Sequence, residues 1–217
     1  MLDKNIRQRI IALIQREVVP AVGCTEPIAV ALCTARATET LGCRPEKITA
    51  LLSANILKNA MGVGIPGTGM IGLPIAIALG AIVGKSEYEL EVIKDVTPDT
   101  LEEGKKYVDE KRIEIKLKSD ITEKLYIDVI CEAAGHKAEA VIAGSHTNFV
   151  YIAKDGETLL DVKKTSGEDG EQGDPELCMR TVYDFATTTP LNEIAFILKT
   201  KQYNIKAAEE SIKGNYG

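Results

Sequence analysis

Four short stretches of the chain combine residue types and spacings that can do chemistry. Cys24 lies in Gly23-Cys24-Thr25-Glu26-Pro27, where proline suits the first turn of a helix and the positive helix end lowers a thiol's pKa. That pattern predicts a thiolate at a helix mouth, beside the polar side chains of Thr25 and Glu26. In Gly64-Ile-Pro-Gly67-Thr-Gly69, residues without a Cβ let backbone N–H groups approach an anion. The run ends where an apolar helix begins, so a carboxylate suits it as well as a phosphate. A tight turn between closely packed helices explains the same glycines, and both readings stay open. Just before this loop, Asn55, Lys58 and Asn59 share one face if residues 54 to 61 are helical. Polar groups converging beside an anion-ready loop point to a ligand pocket, against the plainer reading of a solvated helix face. Ser145-His146-Thr147-Asn148 packs hydrogen-bonding groups into one connection and makes His146 a ligand candidate, although a turn needs no function. His136, in Gly135-His136-Lys137, reads as an ordinary exposed turn.

Other motifs are weaker. Gly62-Val-Gly64-Ile-Pro-Gly67 and Gly67-Thr-Gly69-Met-Ile-Gly72 both satisfy G-x-G-x-x-G. A dinucleotide site also needs a preceding parallel strand and an acid about 20 residues on; Glu87 and Glu89 stand near that distance, but no β-α-β succession follows. Gly84-Lys85-Ser86 has Leu79 where a phosphate-binding lysine motif requires glycine. Five cysteines are present, none paired as C-x2-C, and two histidines are too few for a histidine-built metal site. Cys33, Cys43 and Cys131 read as inert small apolar residues, and Cys178 has no legible role.

These groups need elements to hold them. A net charge of −6 argues against a polycationic nucleic-acid binder, and 5% aromatics without tryptophan argue against base stacking. The charged N-terminus MLDKNIRQRI and an odd number of cysteines predict free thiols in a reducing cytoplasm. Residues 59 to 84 carry no charge, but their first half is glycine-rich and LPIAIALGAIV is too short to span a bilayer, so a loop feeding a buried helix is predicted, not a membrane span. Helical periodicity covers 3 to 18, 27 to 41, 73 to 83, 87 to 96 and 98 to 110. Residues 47 to 53 read as a strand or a short buried segment. From 113 to 162 the period switches to two, predicting antiparallel strands and a hairpin at Asp155-Gly156. Helices return at 177 to 187, 192 to 201 and 205 to 213. The expected class is α+β: a mostly helical catalytic domain (1–86) interrupted by an inserted α/β module with an antiparallel sheet (87–164), then a linker (165–176) and the start of a second helical part (177–217).

The segments GCTEP (23 to 27), NILKNAMGVGIPGTGMIGLPIAIALGA (55 to 81), LEVIKD (90 to 95) and the HTN of SHTNF (145 to 149) together resemble the L-cysteine desulfidase family, which is related to the iron–sulfur L-serine dehydratases. The resemblance runs over essentially the whole chain in the right order. It implies a pyridoxal-free β-elimination of L-cysteine to sulfide, ammonia and pyruvate, or the equivalent dehydration of L-serine, with a 4Fe-4S cluster. Cys24 matches the family's first cluster cysteine. The family's remaining cluster cysteines lie in a second helical half, so the chain resembles an N-terminal fragment, inactive alone. Lys58 and His146 are the candidates for the catalytic base. Thr25, Glu26, Asn55, Asn59, Gly67, Thr68, Gly69, Ser145, Thr147 and Asn148 are the candidates for orienting the amino-acid substrate. The partners implied are that small molecule and further copies of the chain in a homo-oligomer, with no nucleic acid and no membrane. An amino-acid-binding module confined to residues 87 to 164, a nucleotide binder using the glycine loop, and a purely structural fragment that binds nothing are the rival functions.

Overall fold

The computed structural model describes residues 2–162 and 174–214, which form two compact units. The larger is built from residues 21–162 and the smaller from residues 2–20 together with 174–214.

In the larger unit, α2 (Thr25–Leu41) is followed by β1 (Lys47–Leu52), α3 (Ala54–Ala60), the two-residue strands β2 (Gly64–Ile65) and β3 (Met70–Ile71), and α4 (Leu73–Ile82). A 3-10 segment (Ser86–Glu91) leads to α5 (Pro98–Asp109), then to β4 (Ile113–Leu117), β5 (Tyr126–Ala133), β6 (His136–Ala143), β7 (Phe149–Lys154) and β8 (Glu157–Asp161). The main sheet has the order β4-β1-β5-β6-β7-β8, and β2 pairs only with β3.

Alternation decides the layers. Ile48, Ala50 and Leu52 of β1, Ile127, Val129 and Cys131 of β5, and Ala138, Ala140 and Ile142 of β6 are all buried, which places every second residue of three neighbouring strands in one core. Helix α2 lies on that layer and is itself buried nearly all round; the Cys33 Sγ sits 3.1 Å from the Ala140 carbonyl oxygen. Helix α4 packs against α2 so closely that a Cβ on Gly80 would stand 2.5 Å from the Ala31 carbonyl oxygen. The apolar run predicted as a buried helix is this inner helix. No helix among the described residues is long and apolar enough to cross a membrane.

The α+β class holds, with three differences in detail. The sheet is mixed, because β1 pairs parallel with β4 while its other neighbour β5 is antiparallel. The sheet is also not confined to 87–164: β1 sits inside it, so the expected boundary at 86/87 cuts through one hydrogen-bonded layer. Strand pairing across some 65 residues leaves no local trace at that boundary. The helix expected at 87 to 96 is a 3-10 segment broken at Glu89, whose φ is +48°. The Lys85 N–H donates to the Val92 carbonyl and its ammonium clasps Tyr88 and Asp95, closing a loop where helical hydrogen bonds would run.

The smaller unit comprises α1 (Lys4–Glu17), α6 (Met179–Thr188), α7 (Leu191–Ile194), a 3-10 turn (Ala195–Leu198) and α8 (Lys199–Lys213). Its core is Ile10, Ile11 and Phe185, with Ile6, Ile14, Ile194 and Phe196 packed around them. The helices expected at 192 to 201 and 205 to 213 are redrawn: α8 runs unbroken through Tyr203 and Asn204, where the Asn204 side-chain amide also donates to the Thr200 carbonyl one turn back. Most of the expected linker, residues 165–173, lies outside the described residues.

Candidate functional site

The site grows from the first turn of α2. Cys24 is the N-cap residue, and its side chain caps nothing. Its Sγ instead donates to the Glu26 Oε2 at 3.0 Å, which also accepts from the Thr25 hydroxyl at 3.2 Å. The Asn59 amide, reaching across from α3, donates to the other oxygen, Oε1, at 3.3 Å. Glu26 is therefore the hub of three side chains, two of them its neighbours in sequence and the third, Asn59, 33 residues away.

Ionisation follows from this hub. The hydrogen bond from Cys24, followed by those of Thr25 and Asn59, holds the Glu26 carboxyl below the ordinary glutamate range despite partial burial. Burial, and then the bond to Glu26, pushes the Cys24 thiol up. The expected thiolate is thus corrected. A carboxylate in the same turn takes up the favourable end of the helix dipole and holds the thiol as a donor.

Above this cluster sits the glycine turn. A Cβ on Gly23 would lie 2.6 Å from the Pro66 ring, so the turn touches the residue before Cys24. The turn is closed by Thr68, a buried residue whose hydroxyl donates to the Ile65 carbonyl at 2.7 Å and accepts from the Met70 N–H at 3.0 Å. That consumes Thr68, which was expected to meet substrate, in holding the backbone. Gly67 and Gly69 adopt φ of +76° and +65°, and nothing stands within 4 Å of where a Cβ would project. Their N–H groups meet no acceptor among the described residues. Gly72, at the start of α4, has φ of +84° and approaches the Met61 carbonyl so closely that a Cβ would stand 2.6 Å from it.

The remaining candidates divide. Asn55 lies one helical turn before Asn59 on α3 and is exposed, as is Lys58, which is rotated by one residue from the face that meets Glu26. The 144–148 connection belongs to the same end of the sheet as α3: the Gly144 N–H donates to the Leu125 carbonyl, and the Ser53 hydroxyl and N–H bond Lys124 and Tyr126 next to it. Within it, the Asn148 amide donates to the Ala143 carbonyl, and the Asn148 N–H donates to the Ser145 carbonyl at 3.4 Å. Asn148 therefore shapes the turn. The His146 Nε2 is shielded from solvent and has no hydrogen-bond partner among the described residues. Ser145 is exposed and Thr147 half-buried. No hydrogen bond joins Lys58, Asn55, Ser145 or Thr147 to the Glu26 cluster among the described residues.

A 4Fe-4S cluster is held by several thiolates. Among the described residues no group of three or more His, Cys, Asp or Glu side chains could hold a metal ion. Cys33 and Cys131 are buried in the α2–sheet core, and Cys43 and Cys178 are exposed on other elements. The residues present offer one ligand at the site, Cys24, and by themselves do not fit the whole cluster.

Fold and site together define an α+β protein with an acidic hub at one helix mouth, next to a glycine turn in which two N–H groups have no acceptor among the described residues. The chain is similar to the UPF0597 protein BF3560 of Bacteroides fragilis, with 69% identity over 216 residues, 100% of this chain and 50% of that protein. It is also similar to a UPF0597 protein of Porphyromonas gingivalis (48% over 222 residues, 100% of this chain and 51% of the other). A third relative is the UPF0597 protein PBPRB0240 of Photobacterium profundum, 41% identical over 225 residues, again 100% of this chain and 51% of the other. The chain spans about half the length of these curated relatives. No family model matches it, and no solved structure does.

Proposed function

We propose that this chain carries the amino-acid-binding part of a β-elimination lyase acting on L-cysteine or L-serine. The observation that carries the reading is the Glu26 hub placed against the glycine turn. An ionised Glu26 is a partner for a substrate ammonium, and the N–H groups of Gly67 and Gly69, which have no acceptor among the described residues, are partners for its carboxylate. A zwitterion needs that pair of opposite sites a few ångströms apart. Asn59 and Thr25 fix the Glu26 carboxylate and so fix the substrate's orientation.

Elimination then needs a base for the Cα proton. His146, with a shielded and unpartnered ring nitrogen at the α3 end of the sheet, suits that role better than the exposed Lys58. As the proton passes to the base, the Cα–H electron pair forms the Cα–Cβ double bond. The Cβ–S or Cβ–O bond breaks, and the leaving group departs with its electrons. The aminoacrylate tautomerises and hydrolyses to pyruvate and ammonia. Cys24 would be one ligand of the cluster that the family resemblance implies, its thiol giving up the proton it now donates to Glu26; such a cluster, when bound, would supply a Lewis-acidic iron. Because the described residues offer such a cluster a single ligand, the chain is expected to be inactive alone.

The test is to purify a full-length relative without oxygen and measure sulfide and pyruvate separately from L-cysteine and L-serine. Substituting valine at the position of Gly67 or Gly69 should abolish turnover and leave the cluster absorbance intact, since a branched side chain cannot adopt positive φ cheaply. Turnover with an unchanged KM would remove the turn from the site. An enzyme that forms neither product from either amino acid would overturn the reading as a whole.

A further inference from the structure

Helices α6 and α8 of the smaller unit present apolar faces that nothing among the described residues covers. On α6, Met179 is 85% exposed, and Val182 and Tyr183 share its face at the next helical turn. Helix α8 buries none of its residues. Leu198, which leads into it, is 69% exposed, and Ile205 and Ile212 continue the same stripe at seven-residue spacing, Ile212 being 84% exposed. Seven-residue spacing keeps apolar side chains on one side of a helix, the arrangement that packs against another helix. A 15-residue helix without tertiary packing is marginal in water. The unit's own core, three buried side chains, is small for five helical segments.

What covers these faces is indicated by the relatives. They match this chain along its whole length, including α6 and α8, yet the match takes up only half of them, so each carries about as much sequence again outside it. We propose that the apolar faces of α6 and α8 are the docking surface for a polypeptide homologous to that other half, packed helix against helix through the Met179 and Ile212 stripes. This inference concerns assembly and is independent of the reaction proposed above.

The experiment compares backbone hydrogen exchange in the 217-residue chain with exchange in the full-length Bacteroides fragilis protein. The stretches matching Met179–Thr188 and Lys199–Lys213 should exchange at least about tenfold more slowly in the full-length protein, equivalent to roughly 1.4 kcal/mol of added protection. Met179→Glu with Ile212→Glu should leave the unfolding midpoint of the 217-residue chain unchanged, and the matching pair should lower that of the full-length protein by several degrees. Equal exchange of these stretches in both proteins, or a full-length protein indifferent to the two glutamates, would overturn the proposal. Protection in the 217-residue chain that grows with its own concentration to the full-length value would overturn it too, making a second copy the occupant.

Discussion

Replacing Glu26 with glutamine separates the two acids of the site. The bond to Glu26 and its negative charge are among the causes that hold the Cys24 thiol up, so Glu26→Gln should release it toward the lower pKa that a helix N-terminus favours. Alkylation of Cys24 near neutral pH is expected to quicken several-fold; an unchanged rate would show that burial alone governs the thiol. In the unmodified chain the order of reaction should differ. Cys178, exposed at the start of α6, has its pKa lowered by the hydrogen bond with Thr181, so it should be the fastest of the five, with Cys33 and Cys131 inert in the folded state. Peptide mapping after brief iodoacetamide treatment reads that order directly. The sequence shows the types and adjacency of Cys24, Thr25 and Glu26, but not that Cys24 and Thr25 share the Glu26 carboxylate with Asn59. That arrangement depends on a contact between residues 33 positions apart.

At the scale of elements, the glycine turn makes a graded prediction. Gly67→Ala pays only for positive φ, since its Cβ would project into open space, and should cost about 1 kcal/mol. Gly72→Ala adds a clash with the Met61 carbonyl and should cost on the order of 2–4 kcal/mol. Urea unfolding of the two variants measures both, and equal losses would mean that the α3–α4 approach yields easily. The glycines were legible as a special loop, and the short antiparallel pair Gly64–Ile65 with Met70–Ile71 was not, because two residues are too few for alternation to show. The strands β4 and β5 were legible for the opposite reason: their sequences alternate apolar and polar residues over five positions or more. Their neighbours were illegible, since β1 enters between β4 and β5 by pairings that local pattern does not encode.

At the scale of the molecule, pH acts through the sheet. Asp128 on β5 is 3% exposed, its Oδ1 has no partner among the described residues, and Lys118 stands 3.7 Å from the other oxygen. Burial, with Glu139 adding repulsion, pushes its pKa up to about 6. A carboxyl raised in the folded state favours folding while protonated; that contribution is complete below the unfolded value near 3.8 and is lost as pH rises to about 6. Asp128→Asn should therefore raise stability at pH 7.5 by on the order of 1–2 kcal/mol and flatten the profile between pH 4 and 6. Chemical unfolding across that range checks both. A variant less stable at pH 7.5 would show that the ion pair with Lys118 outweighs the burial of the charge.

The approach of Gly80 to Ala31 couples the two sides of the site in time as well as in space. Ala31 lies six residues into α2 and Gly80 seven residues into α4, so each helix reaches about 10 Å from the crossing back to its first turn, one beside Cys24 and the other beyond the glycine turn. A side chain at position 80 would wedge the crossing apart. With glycine there, the acidic hub and the turn are carried on two stiff arms sharing one fulcrum, and neither arm can fray deeply without disturbing the other. The amides of α2 and α4 should therefore open as one cooperative unit, and native-state exchange under mild denaturant should give them a single common opening energy.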